Sequence, residues 1–364
     1  MKGIIVGAIL AILGVAISPA KGAVEFNVID MGKLSSGAGA LVYPTDINSA
    51  GDVVGYSQNN SDGFFHAFRY SSGTMSDIKP PGTGTNNSYA QAITDAGEIC
   101  GYYASTQGFR RSSSGTSSIG FNNAGASTWF EDMNSSGVIV GMSGPAGSQH
   151  AFSYQGGVYS GLGLASQISF AWALNDAGMI VGEAANKPVI FNGSATPTAI
   201  GTFGGQTGRA AGVNASGSIV GYAATTIHDS NNQETNHAFL YANGNKTDLG
   251  TMGGLSSFAN DINATGWIVG ASDVLTPPGD RNAFLYRNGA MTNLNTLIDP
   301  SLGWTLESGE AINDLGVITG YGWHGNARSS FLLVPVGVPE PSLTSGVALG
   351  VLVTVNRRRR RPAR

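Results

Sequence analysis

The sequence predicts an all-β chain folded as a seven-bladed β-propeller of four-stranded blades. Three observations predict it. A short phrase, clearest as Asp261-Ile262-Asn263-Ala264-Thr265-Gly266-Trp267-Ile268-Val269-Gly270, occurs seven times, centred on Asn48, Thr94, Asn134, Asn175, Asn214, Asn263 and Asn313. Its closing glycines, Gly55, Gly101, Gly141, Gly182, Gly221, Gly270 and Gly320, recur every 39 to 50 residues, about the length of one propeller blade. The seventh unit stops after its third strand, and a matching fourth strand stands unattached at the start of the array. The N-terminal strand is therefore expected to complete the last blade, a closure that an open solenoid does not need. The rival fold is a parallel β-helix, whose coils are usually shorter and lack a hairpin corner in every unit.

Composition agrees with many tight turns around an apolar interior. Of 364 residues 54 are glycine, 41% are apolar and only 12% are charged. Eight of the 19 Lys and Arg residues lie in the terminal segments, at Lys2, Lys21, Arg357 to Arg361 and Arg364. Setting those eight aside leaves 11 basic against 23 acidic residues, a balance of −12. A body that acidic offers no phosphate-neutralising patch, which argues against nucleic acid as a partner. The one cysteine, Cys100, cannot form an internal disulfide and takes the place of a valine in the repeat, as a small buried hydrophobe.

In chain order, residues 1–23 have the form of a signal peptide and the first of two expected terminal helices. Lys2 precedes an apolar run from Ile4 to Ile17, followed by Ser18-Pro19-Ala20-Lys21-Gly22-Ala23. Cleavage by signal peptidase after Ala20 keeps small residues at both critical positions, whereas cleavage after Ala23 puts Lys21 at one of them. An uncleaved membrane anchor is the alternative.

The propeller is expected over residues 24–334. Phe26 to Leu34 comes first, with Asp30, Gly32 and Leu34 in register with Asp248, Gly250 and Met252 of the fifth unit. Each unit then opens with an apolar strand that ends at an Asn-x-x-Gly corner. These corners pair Asn48 with Gly51, Asn134 with Gly137, Asn175 with Gly178, Asn214 with Gly217, Asn263 with Gly266 and Asn313 with Gly316. Asn at the start of such a bend hydrogen-bonds its own backbone, and Gly accepts the left-handed conformation that closes the loop. A second strand follows with pairs such as Val53-Val54 and Ile180-Val181, then a variable loop, a third strand and a Gly-containing turn into the fourth.

The third and fourth strands carry a resemblance. His-Ala-Phe-x-Tyr at His66, His150 and His237, Asp-Leu-Gly-Thr-x-Gly-Gly from Asp248 to Gly254 and the Asp-Ile-Asn phrase together resemble the HAF-repeat proteins, a family of bacterial extracellular repeats. The resemblance spans nearly all of residues 25–334, strongest from Thr235 to Ser272 and degenerate where Gln107 and Lys187 replace His. Residues 335–364 look like a PEP-CTERM sorting segment: Pro339-Glu340-Pro341, a short apolar span 343–355 and a basic tail 357–364 that includes Arg357, Arg358, Arg359, Arg360 and Arg361. The arginines suit the cytoplasmic side of a membrane. A helix over 343–355 would reach about 20 Å, short of a hydrocarbon core of about 30 Å. The resemblance implies recognition by an exosortase, cleavage near the Pro-Glu-Pro, and release or attachment at the surface of an exopolysaccharide-producing bacterium. A plain tail anchor without processing is the alternative.

No catalytic residue, metal site or cofactor emerges from the motifs. Asp46, Asp132 and Asp261 stand one residue before the apolar corner residue; on an innermost strand they are candidate channel carboxylates, together with Glu131 and Glu310. The competing reading is that each bonds a turn or a neighbouring blade. His66, His150 and His237 share one repeat position in different blades and are read as local hydrogen-bonding groups. Asp46-x-Asn48 imitates half a calcium loop, but Ala50 and Ser57 fall where ligands belong. A binding surface is expected on the loops 223–236 and 272–281, beside 201–208 and 250–257. The function expected is an exported, non-catalytic binding or structural module at the cell surface, with a polysaccharide or a surface protein as ligand. A carbohydrate-active enzyme using channel carboxylates is the alternative.

Overall fold

The computed structural model describes residues 24–337 except 36–39, 85, 105–106, 121–126, 146, 164–165, 194–195 and 276–279. The expected leader over 1–23, the motif Pro339-Glu340-Pro341, the 343–355 span and the arginines 357–361 lie outside the described residues. Among the described residues no helix is long and apolar enough to cross a membrane.

The described chain forms seven separate antiparallel sheets of four strands. Blade 1 runs from Val42–Ile47 through Val53–Gln58 and Phe65–Ser71 to Thr74–Asp77, each strand pairing with the next. The first strands of the other blades are Ser88–Ile93, Ser127–Met133, Ser169–Leu174, Gly204–Val213, Gly253–Ile262 and Trp304–Ile312. Each first strand touches the first strands of both neighbours, and Val42–Ile47 meets Trp304–Ile312, so the ring is closed and these strands are innermost. Two short 3-10 turns, Leu294–Thr296 and Pro300–Leu302, join blades 6 and 7.

The N-terminal strand Phe26–Gly32 completes blade 7, pairing antiparallel with Ala327–Pro335 from Phe26↔Pro335 to Gly32↔Ser330. The register read from sequence holds in its details. Asp30 Oδ1 accepts from Gly32 N at 2.9 Å as Asp248 Oδ1 does from Gly250 N at 2.8 Å, and both glycines sit at φ 71°. The third strand of blade 7 reaches Pro335, one residue past the expected end of the ring.

A propeller has no single central core. Apolar side chains instead form seven clusters, each shared by two adjacent blades: Val54, Ala67 and Ile78 of blade 1 pack with Ala90, Ile93, Ile99 and Phe109 of blade 2, and so on round the ring. Phe26 and Met31 of the N-terminal strand join the two clusters that flank blade 7. The His-Ala-Phe phrase gains its physical meaning here. The alanines Ala67, Ala151, Ala238 and Ala283 are fully buried, where only a small side chain fits against the next blade. Phe68, Phe109, Phe239, Phe284 and Phe331 are fully buried too, each worth about 1.5–3 kcal/mol of apolar transfer. Cys100 is buried in the cluster between blades 2 and 3 beside Phe130, and burial pushes its thiol up.

The two kinds of glycine in the repeat do different work. Corner glycines such as Gly178 and Gly266 have φ of 84° and 82°, the left-handed conformation that β-carbons disfavour. The closing glycines are absent from that conformation and matter for space. A β-carbon on Gly182 would lie 1.9 Å from the Phe170 carbonyl oxygen, and one on Gly141 1.9 Å from that of Trp129.

The corner asparagines link the blades into a belt. The Nδ2 groups of Asn134, Asn175, Asn214 and Asn263 donate to the carbonyls of Asn175, Asn214, Asn263 and Asn313, at 2.9–3.3 Å. Asn313 donates to Asn48 at 3.0 Å, closing the circle across the chain ends, and Asn48 donates to Thr94 at 3.2 Å. The Oδ1 of each side chain accepts from the backbone N–H four residues on, as from Met179 to Asn175 at 2.9 Å. Thr94 is the one break. Its hydroxyl accepts from Glu98 N at 3.2 Å, but a threonine has no amide to extend towards the Asn134 carbonyl. Thr94→Asn is expected to close the belt and add about 1 kcal/mol, the net value of a typical hydrogen bond. Urea unfolding would read it as a higher midpoint at unchanged slope; an unchanged midpoint would show that the belt does not hold the blades.

Candidate functional site

The site is built by a bulge repeated in every innermost strand. Cross-strand register slips at the same point of the phrase in every blade, between Pro44 and Asp46, Ala90 and Ala92, Phe130 and Asp132, Ala171 and Ala173, Ala210 and Gly212, Ala259 and Asp261, and Gly309 and Ala311, with a second slip nearer the strand start in blades 5, 6 and 7. A bulge leaves one residue unpaired and re-aims its side chain. The seven unpaired residues are Thr45, Gln91, Glu131, Trp172, Ala211, Asn260 and Glu310, and all seven line one central cavity of about 430 Å³. Tyr56, Tyr89, Tyr102 and Arg209 complete its wall.

Of the candidate channel carboxylates, Asp46, Asp132 and Asp261 do not line this cavity; Glu131 and Glu310 do. The three aspartates are clamps between blades. Asp46 accepts from Ile47 N and from Ile93 N of the next blade, both at 2.7 Å. Asp132 likewise holds Met133 N and Leu174 N, and Asp261 holds Ile262 N and Ile312 N, at 2.7 and 2.8 Å in each case. Burial pushes all three carboxyls up, Asp132 to about 7, while the backbone N–H groups pull down. Both oxygens of each are thus engaged, and each aspartate bonds its own corner and the neighbouring blade.

Some cavity residues also bond across blades. Thr45 Oγ1 donates to Ala90 O at 2.9 Å, Gln91 Nε2 to Glu131 Oε2 at 2.8 Å, and Asn260 Nδ2 to Gly309 O at 2.9 Å. Burial pushes the Glu131 carboxyl up to about 7, against the lowering effect of Arg209 and the Gln91 bond. Burial also raises Glu310, which Ser308 and Arg209 temper. Arg209 makes no ion pair among the described residues; its guanidinium lies over the Trp172 ring, 3.6 Å from the centroid.

On one side of the cavity the aromatic rings form an arc across four blades. Tyr321 meets Tyr43 at 5.2 Å, Tyr43 meets Tyr56 at 5.3 Å, and Tyr56 meets Tyr89 at 4.9 Å. Tyr89 meets Tyr102 at 4.9 Å, and Tyr102 stacks on Trp129 at 5.4 Å with 14° between planes. Burial holds the Tyr56, Tyr89 and Tyr102 hydroxyls above the usual phenol range, so they stay neutral hydrogen-bonding groups. The arc occupies the face that carries the second-to-third-strand loops: Tyr56, Tyr102 and Tyr321 lie between closing glycines and those loops, and Tyr43, Tyr89 and Trp129 stand on first strands directly opposite Tyr56, Tyr102 and Met142. The corner asparagines define the opposite face.

Of the loops expected to bind, 223–236 is largely strand, whereas 272–281 is strand only at 272–274 and 281, with 276–279 outside the described residues. Residues 219–228 and 234–242 form a long hairpin with its tip at 229–233, and the stretches 204–208 and 253–257 pair as irregular extensions of inner strands. Of the shared-position histidines, His66 bonds Asp77 at 2.6 Å and His237 bonds Asp248 at 2.8 Å, each reaching its own fourth strand. His150 bonds the Gln167 carbonyl at 3.0 Å. Among the described residues no cluster of three His, Cys, Asp or Glu side chains could hold a metal ion.

Trp172, Arg209 and the tyrosines carry no motif, which is why sequence reading passed over them. One signal marks the bulge. Within an otherwise uniform phrase, the position two before the apolar corner residue changes chemical class from unit to unit: Thr, Gln, Glu, Trp, Ala, Asn, Glu.

A closed ring of seven four-stranded blades defines this chain as a seven-bladed β-propeller. No protein-family model matches it, and neither does any curated protein. Among solved structures it is similar to the Pyrococcus horikoshii acylaminoacyl peptidase in its orthorhombic crystal form, at 11% identity and a TM-score of 0.37. That alignment covers 78% of this chain and 57% of the peptidase, so this chain spans just over half the length of that protein.

Proposed function

We propose that this protein is an exported, non-catalytic carbohydrate-binding propeller of the HAF-repeat kind, whose glycan ligand enters the central cavity. The observation that carries the reading is the lining itself. Tyr56, Tyr89, Tyr102 and Trp172 border the same space as Gln91, Glu131, Asn260, Glu310 and Arg209. Aromatic faces carry partial negative charge that suits the C–H face of a pyranose, and amides, carboxylates and a guanidinium suit its hydroxyls. A concave site with aromatic walls and a few placed polar groups is the usual form of a small-ligand pocket.

The leader-like N-terminus and the Pro-Glu-Pro segment with its arginine block support export, handling by signal peptidase and exosortase, and a final place at the cell surface or outside the cell. An exopolysaccharide is the glycan that such a location brings nearest.

The test is a glycan-array screen of the purified chain, with release of reducing ends followed in parallel. Binding without turnover, lost at least tenfold in Trp172→Ala, is the expected result, since an aromatic anchor at the centre of a site commonly carries 2 kcal/mol or more, or about thirtyfold. Turnover that disappears in Glu131→Gln would replace this reading with a carbohydrate-active enzyme. Absence of both binding and turnover would refute the glycan reading.

A further inference from the structure

We propose that a second saccharide subsite lies at Trp323, linked to the central cavity by the aromatic arc, so that the propeller reads a stretch of glycan chain in place of a single terminal sugar. The inference rests on the glycan reading above and adds a site to it.

Trp323 is the penultimate residue of the second strand of blade 7, Ile318–His324, on the face that carries the aromatic arc. The residue is 40% exposed, yet its position is fixed. The indole Nε1–H donates to Glu307 Oε1 at 2.8 Å, and Glu307 also pairs with Arg328. The Arg328 guanidinium lies 5.6 Å from the Trp323 ring and 4.7 Å from the Tyr321 ring, so one cation orders both aromatics. The polar edge of the indole is satisfied while the ring remains open to solvent. A hydrogen-bonded, pre-oriented aromatic loses little side-chain freedom when a ligand stacks on it.

The ring looks onto a cavity of about 440 Å³, lined also by Asn282, Thr305, Arg281 and Asp280. The chemistry repeats that of the central site: aromatic rings, an amide, a hydroxyl, carboxylates and guanidinium groups. The ion pairs account for Glu307 and Arg328, and Arg281 bonds Asp273 at 3.1 Å. Asn282 and Thr305 add an amide and a hydroxyl at the rim, which suit sugar hydroxyls.

The two cavities share no lining residue but are joined through one aromatic side chain. Tyr321 lines the Trp323 cavity and Tyr56 lines the central one, and Tyr43 bridges them at 5.2 and 5.3 Å. A line of contacting side chains therefore runs from Trp323 through the Arg328 guanidinium to Tyr321, Tyr43 and Tyr56 and so to the centre. A monosaccharide would need one of these sites, whereas a chain of linked pyranoses can occupy both and gain from having the second contact tethered to the first.

The test measures affinity of the full chain for two probe series, cello-oligosaccharides and oligo-alginates, each from disaccharide to octasaccharide. Wild type is expected to bind longer members of the accepted series more tightly. Trp323→Ala is expected to leave disaccharide affinity unchanged and to weaken the octasaccharide about tenfold, flattening the length dependence. Trp323→Phe, which keeps an aromatic face without the indole N–H, is expected to retain most of it. Disaccharide binding with a length dependence that survives Trp323→Ala would overturn the second subsite and leave the central one standing. Failure of every member of both series to bind would refute the subsite together with the glycan reading on which it rests.

Discussion

Gly182→Ala is expected to destabilise the propeller by at least about 3 kcal/mol, whereas Gly178→Ala, four residues earlier, is expected to cost about 1–2 kcal/mol. The contrast separates the two glycines of one phrase. At Gly178 the backbone has φ 84° and nothing lies within 4 Å of a new β-carbon, so the penalty is conformational. At Gly182 the new atom would meet the Phe170 carbonyl oxygen at 1.9 Å, with the Phe170 carbonyl carbon at 3.0 Å and Ala171 Cα at 3.1 Å. All three are backbone atoms of the facing first strand, which cannot yield as a flexible side chain would. The bulge between Ala171 and Ala173 sits opposite this glycine, because Ala171 pairs with Gly182. Relief of the clash would therefore disturb the feature that turns Trp172 into the cavity. Urea unfolding of the two variants beside wild type measures the difference; equal midpoints would show that the close approach is not what requires glycine there.

Removal of Phe26–Gly32 is expected to abolish the folded monomer. The strand supplies the outer edge of blade 7 and places Phe26 and Met31 in two clusters of the core. Without it Ala327–Pro335 becomes an open edge in a three-stranded blade, which invites pairing with another chain. Phe26→Ala is the milder probe, with an expected loss of about 3–5 kcal/mol for a fully enclosed aromatic. Circular dichroism and size-exclusion chromatography report the outcome for the deletion: loss of native signal or appearance of oligomers. A monomer with native signal would mean that the ring closes without this strand.

Much of the fold was legible because its signals are local. The Asn-x-x-Gly corner needs only four residues to specify a turn, and the match of Asp30 and Gly32 to Asp248 and Gly250 announced closure without any knowledge of contacts. The cavity was less legible. A bulge is a property of register between two strands, and nothing in Gln91 or Trp172 alone reveals that it has no partner across the sheet. The aromatic arc is harder still, since Tyr321 and Tyr43 are nearly a whole chain apart and meet only because the ring closes. The aspartates are a case in which the sequence left two readings open. Asp46, Asp132 and Asp261 attract attention as acidic groups in an apolar phrase, yet their value is as acceptors for two backbone N–H groups each. Glu131, one residue before Asp132, and Glu310, at the same repeat position in blade 7, hold the positions that reach the cavity.

The pairing of Phe26 with Pro335 fixes how the molecule presents itself. Strand direction alternates within a blade, so the N-terminal strand begins, and the last strand ends, on the side of the asparagine belt. Both ends of the described ring thus lie at neighbouring points on one rim, opposite the aromatic mouth. A surface coupled at Glu25 or Pro335 would sit beneath the belt and leave the mouth facing away from it, like an upturned cup.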